Sequence, residues 1–139
     1  VIASIHSGFA MKKADMEARI IRAIHNPYTT MLGHPTGRLL LSREGFDIDM
    51  TRVIDEAAAS GTIIELNASP YRLDIDWRFL KYAKERNVLI SVNPDAHSVA
   101  GLAEYVYGIG IARKGWLEKK DVFNTRNARD IGTFFSSKP

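Results

Sequence analysis

The chain has no cysteine, so neither a disulfide nor a thiolate metal site is open to it, and the composition suits a cytoplasmic protein. No apolar run approaches the roughly 18 residues that a membrane-spanning helix needs, and no signal-peptide pattern is present; no membrane association is expected. Internal repeats, low-complexity tracts and charge blocks are also missing, leaving one continuous unit to read. Charge of one sign is scarce: the net charge is +3. The excess falls late, with seven Lys/Arg against four Asp/Glu from Val99 onward. That balance permits an anionic partner without requiring one. There is no initiator Met either, and Val1 opens directly into an apparent buried strand, as expected of a piece of a longer protein.

What is present is ordinary for a globular domain: 139 residues, 45% hydrophobic and 25% charged, enough to bury a real core. The pattern alternates strand and helix. Apolar runs at Val1–Ile5, Met31–Gly33, Thr62–Asn67 and Val88–Val92 read as strands. Between them, Met16, Ile20, Ala23 and Ile24 recur at helical spacing, and Asn26-Pro27 ends that helix. Met50, Val53, Ile54, Ala57 and Ala58 do the same, with Asp49 as N-cap and Gly61 as the stop. A third helix is predicted over Asp76 to Arg86, burying Phe79, Leu80 and Ala83, with Asn87 in the left-handed conformation before the next strand. Helices are predicted again from Val99 and over Ala128 to Phe135, with irregular structure near Gly115 and Asn124 and a frayed tail from Ser136 to Pro139. Alternating β/α units imply a parallel sheet, either doubly wound or rolled into a barrel.

Each apolar run ends in a polar group: His6, His34, Asn67, then Asp95 and His97. Carboxyl ends of parallel strands are where α/β proteins build their sites. In an extended segment Asp95 and His97, two apart, point the same way and reach one common ion. Imidazole nitrogen with carboxylate oxygen suits Zn, Mn or Fe better than Ca or Mg. Against this, a lone His at a strand end is more often structural. His25 falls in a helix's last turn, where a cation favours the dipole, and is read as structural. Asn67 and Arg72 either hold a phosphate or serve the loop, Arg72 then pairing with Asp74 or Glu65. Arg38, in Gly33-His34-Pro35-Thr36-Gly37-Arg38, carries the same two readings, and the P-loop spacing is absent. Glu65 shares a face with Asn67 and is placed to orient a ligand or an arginine from behind. Trp116 and the tyrosines are assigned to the core in preference to base stacking.

Five segments occur in order: Ser4-Ile5-His6-Ser7; Gly33-His34-Pro35-Thr36-Gly37-Arg38-Leu39-Leu40; Glu65-Leu66-Asn67-Ala68-Ser69-Pro70-Tyr71-Arg72-Leu73-Asp74; Asn93-Pro94-Asp95-Ala96-His97-Ser98; and Ala112-Arg113-Lys114-Gly115-Trp116-Leu117. Together they resemble the carboxyl-terminal half of the PHP (polymerase and histidinol phosphatase) domain, most of all that of family X DNA polymerases. The resemblance covers nearly the whole chain, so residues 1–139 are expected to be the carboxyl-terminal portion of such a domain. It implies part of a distorted seven-stranded β/α barrel holding up to three Mn or Zn ions. It also implies metal-dependent phosphoester hydrolysis, in the polymerases a 3′–5′ exonuclease serving DNA repair. Carried over by motif, His6, His34, Asp95 and His97 match metal ligands, Asp95 and His97 being central to catalysis. Arg38, Asn67 and Arg72 match positions near the phosphate. Pro94 stands where Thr or Ser is common. The family's His-x-His motif and further ligands belong to upstream strands that this sequence does not include. The parent is therefore expected to be an enzyme acting on DNA, with the upstream half-domain and a polymerase domain as partners. The segment alone is expected to hold one or two ions at most, to be inactive, and to self-associate. Alternatives are a stand-alone phosphatase for a small phosphomonoester such as histidinol phosphate, or a catalytically silent scaffold.

Overall fold

A computed structural model describes residues 1–137. Four strands, β1 (Ile2–Ala3), β2 (Met31–Leu32), β3 (Ile63–Asn67) and β4 (Ile90–Asn93), form one sheet in the order β1-β2-β3-β4, every neighbouring pair parallel. Three connecting helices, α1 (Lys13–Ile24), α2 (Met50–Ser60) and α3 (Leu80–Glu85), alternate with the strands. Beyond β4 come α4 (Tyr105–Lys114), entered through a 3₁₀ turn at Ala100–Glu104, and α5 (Ala128–Ser136).

The strands divide their side chains between two faces. Leu32, Ile64, Leu66 and Ile90 join one core with Met16, Ile20 and Ile24 of α1, Val53 and Ile54 of α2, Leu80 of α3 and Ala112 of α4. Helices α1 to α4 thus lie on one side of the sheet. With sequential strands paired in order, this is the singly wound arrangement of a barrel wall, which settles the sequence's two options. On the other face Met31 and Ile63 meet Phe123, with Ile131 and Phe134 of α5 packed against them. Further up that face the register pairs Glu65 with Ser91 and Asn67 with Asn93, so it turns from apolar to polar toward the strands' carboxyl ends.

Local chemistry explains the boundaries. Asp49 caps α2 by accepting from the Thr51 and Arg52 amides, and Gly61 stops it at φ +66°. Asn87 takes φ +57° before β4, as predicted. Asp76 caps a 3₁₀ turn, Trp77–Phe79, which precedes α3, so the third helix is shorter than the pattern implied. The tail differs in part: Ser136 is helical, while Lys138 and Pro139 lie outside the described residues.

Two expectations are corrected. Trp116 is 73% exposed at φ +64°, and Tyr28, Tyr71, Tyr105 and Tyr107 are also exposed, so these aromatics are not core. The self-association expected of the segment presumes open strand edges, and the outer edge of β4 is instead met by Val122, which bridges to Ile90. Asn124 then clamps Val92, its Oδ1 accepting from the backbone amide at 3.2 Å and its Nδ2 donating to the carbonyl at 2.7 Å. A side-chain amide here stands in for a strand's peptide group.

Candidate metal and phosphate site

Because all four strands run parallel, their carboxyl ends share one rim; Asn67 is the last residue of β3, and the loops leaving the other strands carry His6, His34 and Asp95. Glu65 organises this rim. It is buried, and its Oε2 accepts from the His34 backbone amide at 2.6 Å and from Asn67 Nδ2 at 3.3 Å. Its Oε1 accepts from Asn93 Nδ2 at 3.0 Å, and Ser91 Oγ donates to Asn93 Oδ1 at 2.9 Å. The carboxylate therefore ties the β2 loop to β3 and β4.

His34 sits on that support at φ +28°. Its ring meets the His6 ring edge-on at 5.0 Å between centroids. Burial first, and the Arg72 guanidinium second, hold the imidazole below its ordinary pKa, which favours the neutral form that carries a lone pair. Its Nδ1 is buried with no hydrogen-bond partner. A buried polar nitrogen normally finds one, so this atom stands out on the rim.

Asp95 joins from the other side. Its Oδ2 accepts from Asn67 Nδ2 at 3.1 Å and lies 3.5 Å from Arg72 Nε. Arg72 therefore pairs with Asp95, rather than with Asp74 or Glu65 as its loop reading allowed. The spacing argument for Asp95 and His97 does not hold: β4 ends at Asn93 and Asp95 adopts φ +53°, so the segment turns where extension was assumed. His97 is exposed, with Nδ1 2.6 Å from the Asp95 carbonyl oxygen. Among the described residues no group of three or more His, Asp or Glu side chains stands ready to hold a metal ion. The geometry supplies an adjoining imidazole pair, His6 and His34, with Asp95 linked to it through Asn67 and Glu65.

Arg38 is committed elsewhere. Its Nε donates to the Arg72 carbonyl at 2.8 Å, one terminal nitrogen to Asp76 Oδ2 at 2.8 Å, and the other to the Leu73 carbonyl. It braces the two loops rather than facing an anion freely. Asp76 is pushed up by burial, but hydrogen bonds from Arg78 and Arg38 outweigh this and hold its carboxyl well below the usual range. The sequence reading gave Asp74 only as an alternative partner of Arg72. Fully buried, its carboxylate accepts from the backbone amides of Thr36 and Gly37, each at 3.0 Å, so it fixes the turn after His34. That reading overlooked Ser91 and Asn93, whose signal was the recurrence of polar residues two apart in β3 and β4, Glu65/Asn67 and Ser91/Asn93. His25, read as structural, caps α1 and places Nε2 2.6 Å from Glu56 Oε2 on α2.

The chain is similar along most of its length to several known proteins. Over 134 residues, 96% of the chain, it is 40% identical to a DNA polymerase/3′–5′ exonuclease, PolX, of Bacillus subtilis. It is 29% identical over 141 residues to a probable phosphatase of a Thermoanaerobacter species, and 29% identical over 134 residues to another from Caldanaerobacter subterraneus. The chain spans 24% of the polymerase's length and about half of the phosphatases', 54% and 50%. No protein-family model matches it. The resemblance to the PHP-type domain of family X polymerases, read from the motifs, is thus carried by identity along nearly the whole chain.

Proposed function

We propose, from this kinship with a family X polymerase's PHP-type domain, that the chain is part of a metal-dependent phosphoesterase that hydrolyses phosphodiesters at the end of a DNA strand. The observation that carries the reading is the unpartnered, buried Nδ1 of His34 beside the His6 ring, at the carboxyl rim of a parallel sheet. His6 and His34 would hold a divalent ion, Mn or Zn by donor type, with Asp95 and His97 as further donors. Such an ion, when bound, polarises a phosphoryl oxygen and acidifies a water. The chain's own residues do the rest. Glu65 fixes the His34 loop, Asn67 orients Asp95, and Arg72 offers planar donors toward a phosphate from its place beside Asp95. The coordination sphere is completed by donors outside residues 1–139, as expected of a carboxyl-terminal part of the domain. DNA repair, cytoplasmic location and association with a polymerase domain follow as the biological setting of this reading. The chain by itself would bind one or two ions weakly, hydrolyse nothing appreciable, and self-associate.

The probable phosphatases favour a second reading, a small phosphomonoester as substrate, since they too match along almost the whole chain. A silent scaffold is the third; the presence of His6, His34, Asp95 and His97 speaks against it. The test is hydrolysis by the full-length protein with added manganese. Release of nucleotides from a single-stranded oligonucleotide supports the first reading, exclusive release of phosphate from a monoester supports the second, and no hydrolysis of either supports the scaffold.

A further inference from the structure

Arg38 and Arg72 carry the same two readings in the sequence, phosphate contact or loop brace, and the structure separates them. Arg38 donates from each of its three guanidinium nitrogens: Nε to the Arg72 carbonyl at 2.8 Å, one terminal nitrogen to Asp76 Oδ2 at 2.8 Å, and the other to the Leu73 carbonyl. Two residues on, the Leu40 amide donates to the Tyr71 carbonyl at 2.7 Å. Three successive carbonyls, Tyr71 to Leu73, are thus taken by donors from one short stretch of the loop after β2. Leu73 itself lies at φ +45°, in the left-handed region. In extended backbone consecutive carbonyls face opposite ways, and this turn lets the Arg72 and Leu73 carbonyls both face Arg38. Asp76 is tied down in turn, accepting from the Arg78 amide at 3.0 Å and from Arg78 Nε at 2.9 Å. Its charge is met by Arg38 and Arg78, not by Arg72.

Arg72 is used differently. One terminal nitrogen donates back to the Arg38 carbonyl at 3.3 Å, and Nε faces Asp95 Oδ2 at 3.5 Å. Among the described residues its second terminal nitrogen meets no acceptor. A guanidinium with a free donor beside the rim carboxylate is placed to take a phosphate oxygen. One whose three nitrogens each already donate within the fold braces instead. The Arg72 side chain is only 19% exposed, so packing as well as hydrogen bonding fixes where it points. The two arginines therefore form a reciprocal pair in which Arg38 holds both ends of the residue that faces Asp95.

We propose that Arg38, anchored by Asp76, is a positioning residue: it touches no substrate and sets the Arg72 guanidinium beside Asp95, where its remaining donor meets the substrate's phosphate. This rests on the phosphodiesterase reading and gives the two arginines separate parts in it. The test is a double-mutant cycle in the full-length protein, Arg38→Gln and Arg72→Gln singly and together, with Asp76→Asn loosening the same anchor more mildly. Calorimetry measures binding of inorganic phosphate with manganese added, and hydrolysis of a single-stranded oligothymidylate separates KM from kcat. Arg72→Gln and Arg38→Gln should each weaken phosphate binding about tenfold and raise KM by a similar factor, more than either lowers kcat. Asp76→Asn should do the same to a smaller extent. The double variant should bind phosphate no more weakly than Arg72→Gln alone, because Arg38 acts only through Arg72. Additive losses, or wild-type phosphate binding by Arg38→Gln, overturn the positioning role. So does a fall in kcat and in calorimetric stoichiometry at unchanged KM and Kd, which marks a smaller folded fraction. Should Arg38→Gln not fold, the same cycle run with Asp76→Asn decides. No hydrolysis by wild type, with the non-additive phosphate binding intact, would remove the phosphodiesterase reading and leave the part of Arg38 standing.

Discussion

Glu65 and His34, thirty-one residues apart, are joined by a 2.6 Å hydrogen bond from the His34 amide to the Glu65 carboxylate. The carboxylate also serves Asn67 and Asn93, so three donors converge on one buried acid. Glu65→Ala would leave all three without their acceptor. Each unmet buried donor costs about 1–3 kcal/mol, and a loss on the order of 3 kcal/mol is expected in denaturant unfolding. Glu65→Gln keeps two acceptor lone pairs and should lose clearly less; equal losses would mean the network does not hold the rim.

Asp74 gives a pH dependence of defined sign. Burial pushes its carboxyl up to about 6, against the hydrogen bonds from Thr36 and Gly37, which pull it down. Because its folded pKa is above the unfolded value near 4, folding favours the protonated form. Its contribution to stability is therefore fully present below about pH 4 and is lost as pH rises through about 6. Asp74→Asn cannot titrate, so the difference in unfolding free energy between wild type and variant should change between those limits and be flat above them. A difference constant from pH 4 to 7 would contradict this.

Much of this architecture was legible from local chemistry. Asp49 and Gly61 bracket α2 because capping is decided within a few residues, and the apolar runs of β3 and β4 are read the same way. The rim was legible because each strand's last apolar residue is soon followed by a polar one. Three things were not. The turn at Asp95 follows Pro94 and breaks the strand's period, so its spacing with His97 misled. The partners of Arg38 lie thirty-four or more residues away, at Arg72, Leu73 and Asp76, beyond any local pattern. The clamp of Asn124 on Val92 likewise depends on the chain returning to the edge of β4.

That clamp is itself testable. Asn124→Ala removes both hydrogen bonds to Val92 and leaves a strand amide and carbonyl at an edge open to a second chain. A loss of about 1–2 kcal/mol is expected, together with a shift toward dimers and larger species in light scattering. Leu can replace Asn124 at similar volume without hydrogen bonding, so Asn124→Leu should associate as Asn124→Ala does. If it associates no more than wild type, the backbone edge is not what the clamp protects.

The metal reading makes the most demanding prediction, and it is made in the full-length protein. His34→Ala removes the one buried side-chain nitrogen that, among the described residues, lacks a partner, and manganese or zinc binding measured by calorimetry should weaken at least tenfold. His25→Ala removes an imidazole that is already paired with Glu56 and should leave that binding unchanged. On the metal reading, Asp95→Ala and His97→Ala should each cut phosphodiester hydrolysis by orders of magnitude, because losing a ligand would remove both the cation that polarises the phosphoryl oxygen and the water it acidifies. Nucleotide incorporation by an attached polymerase domain should remain nearly intact in all of these variants, since its site lies elsewhere. Loss of both activities together would trace the effect to unfolding, and full hydrolysis by the Asp95 and His97 variants would remove them from the site.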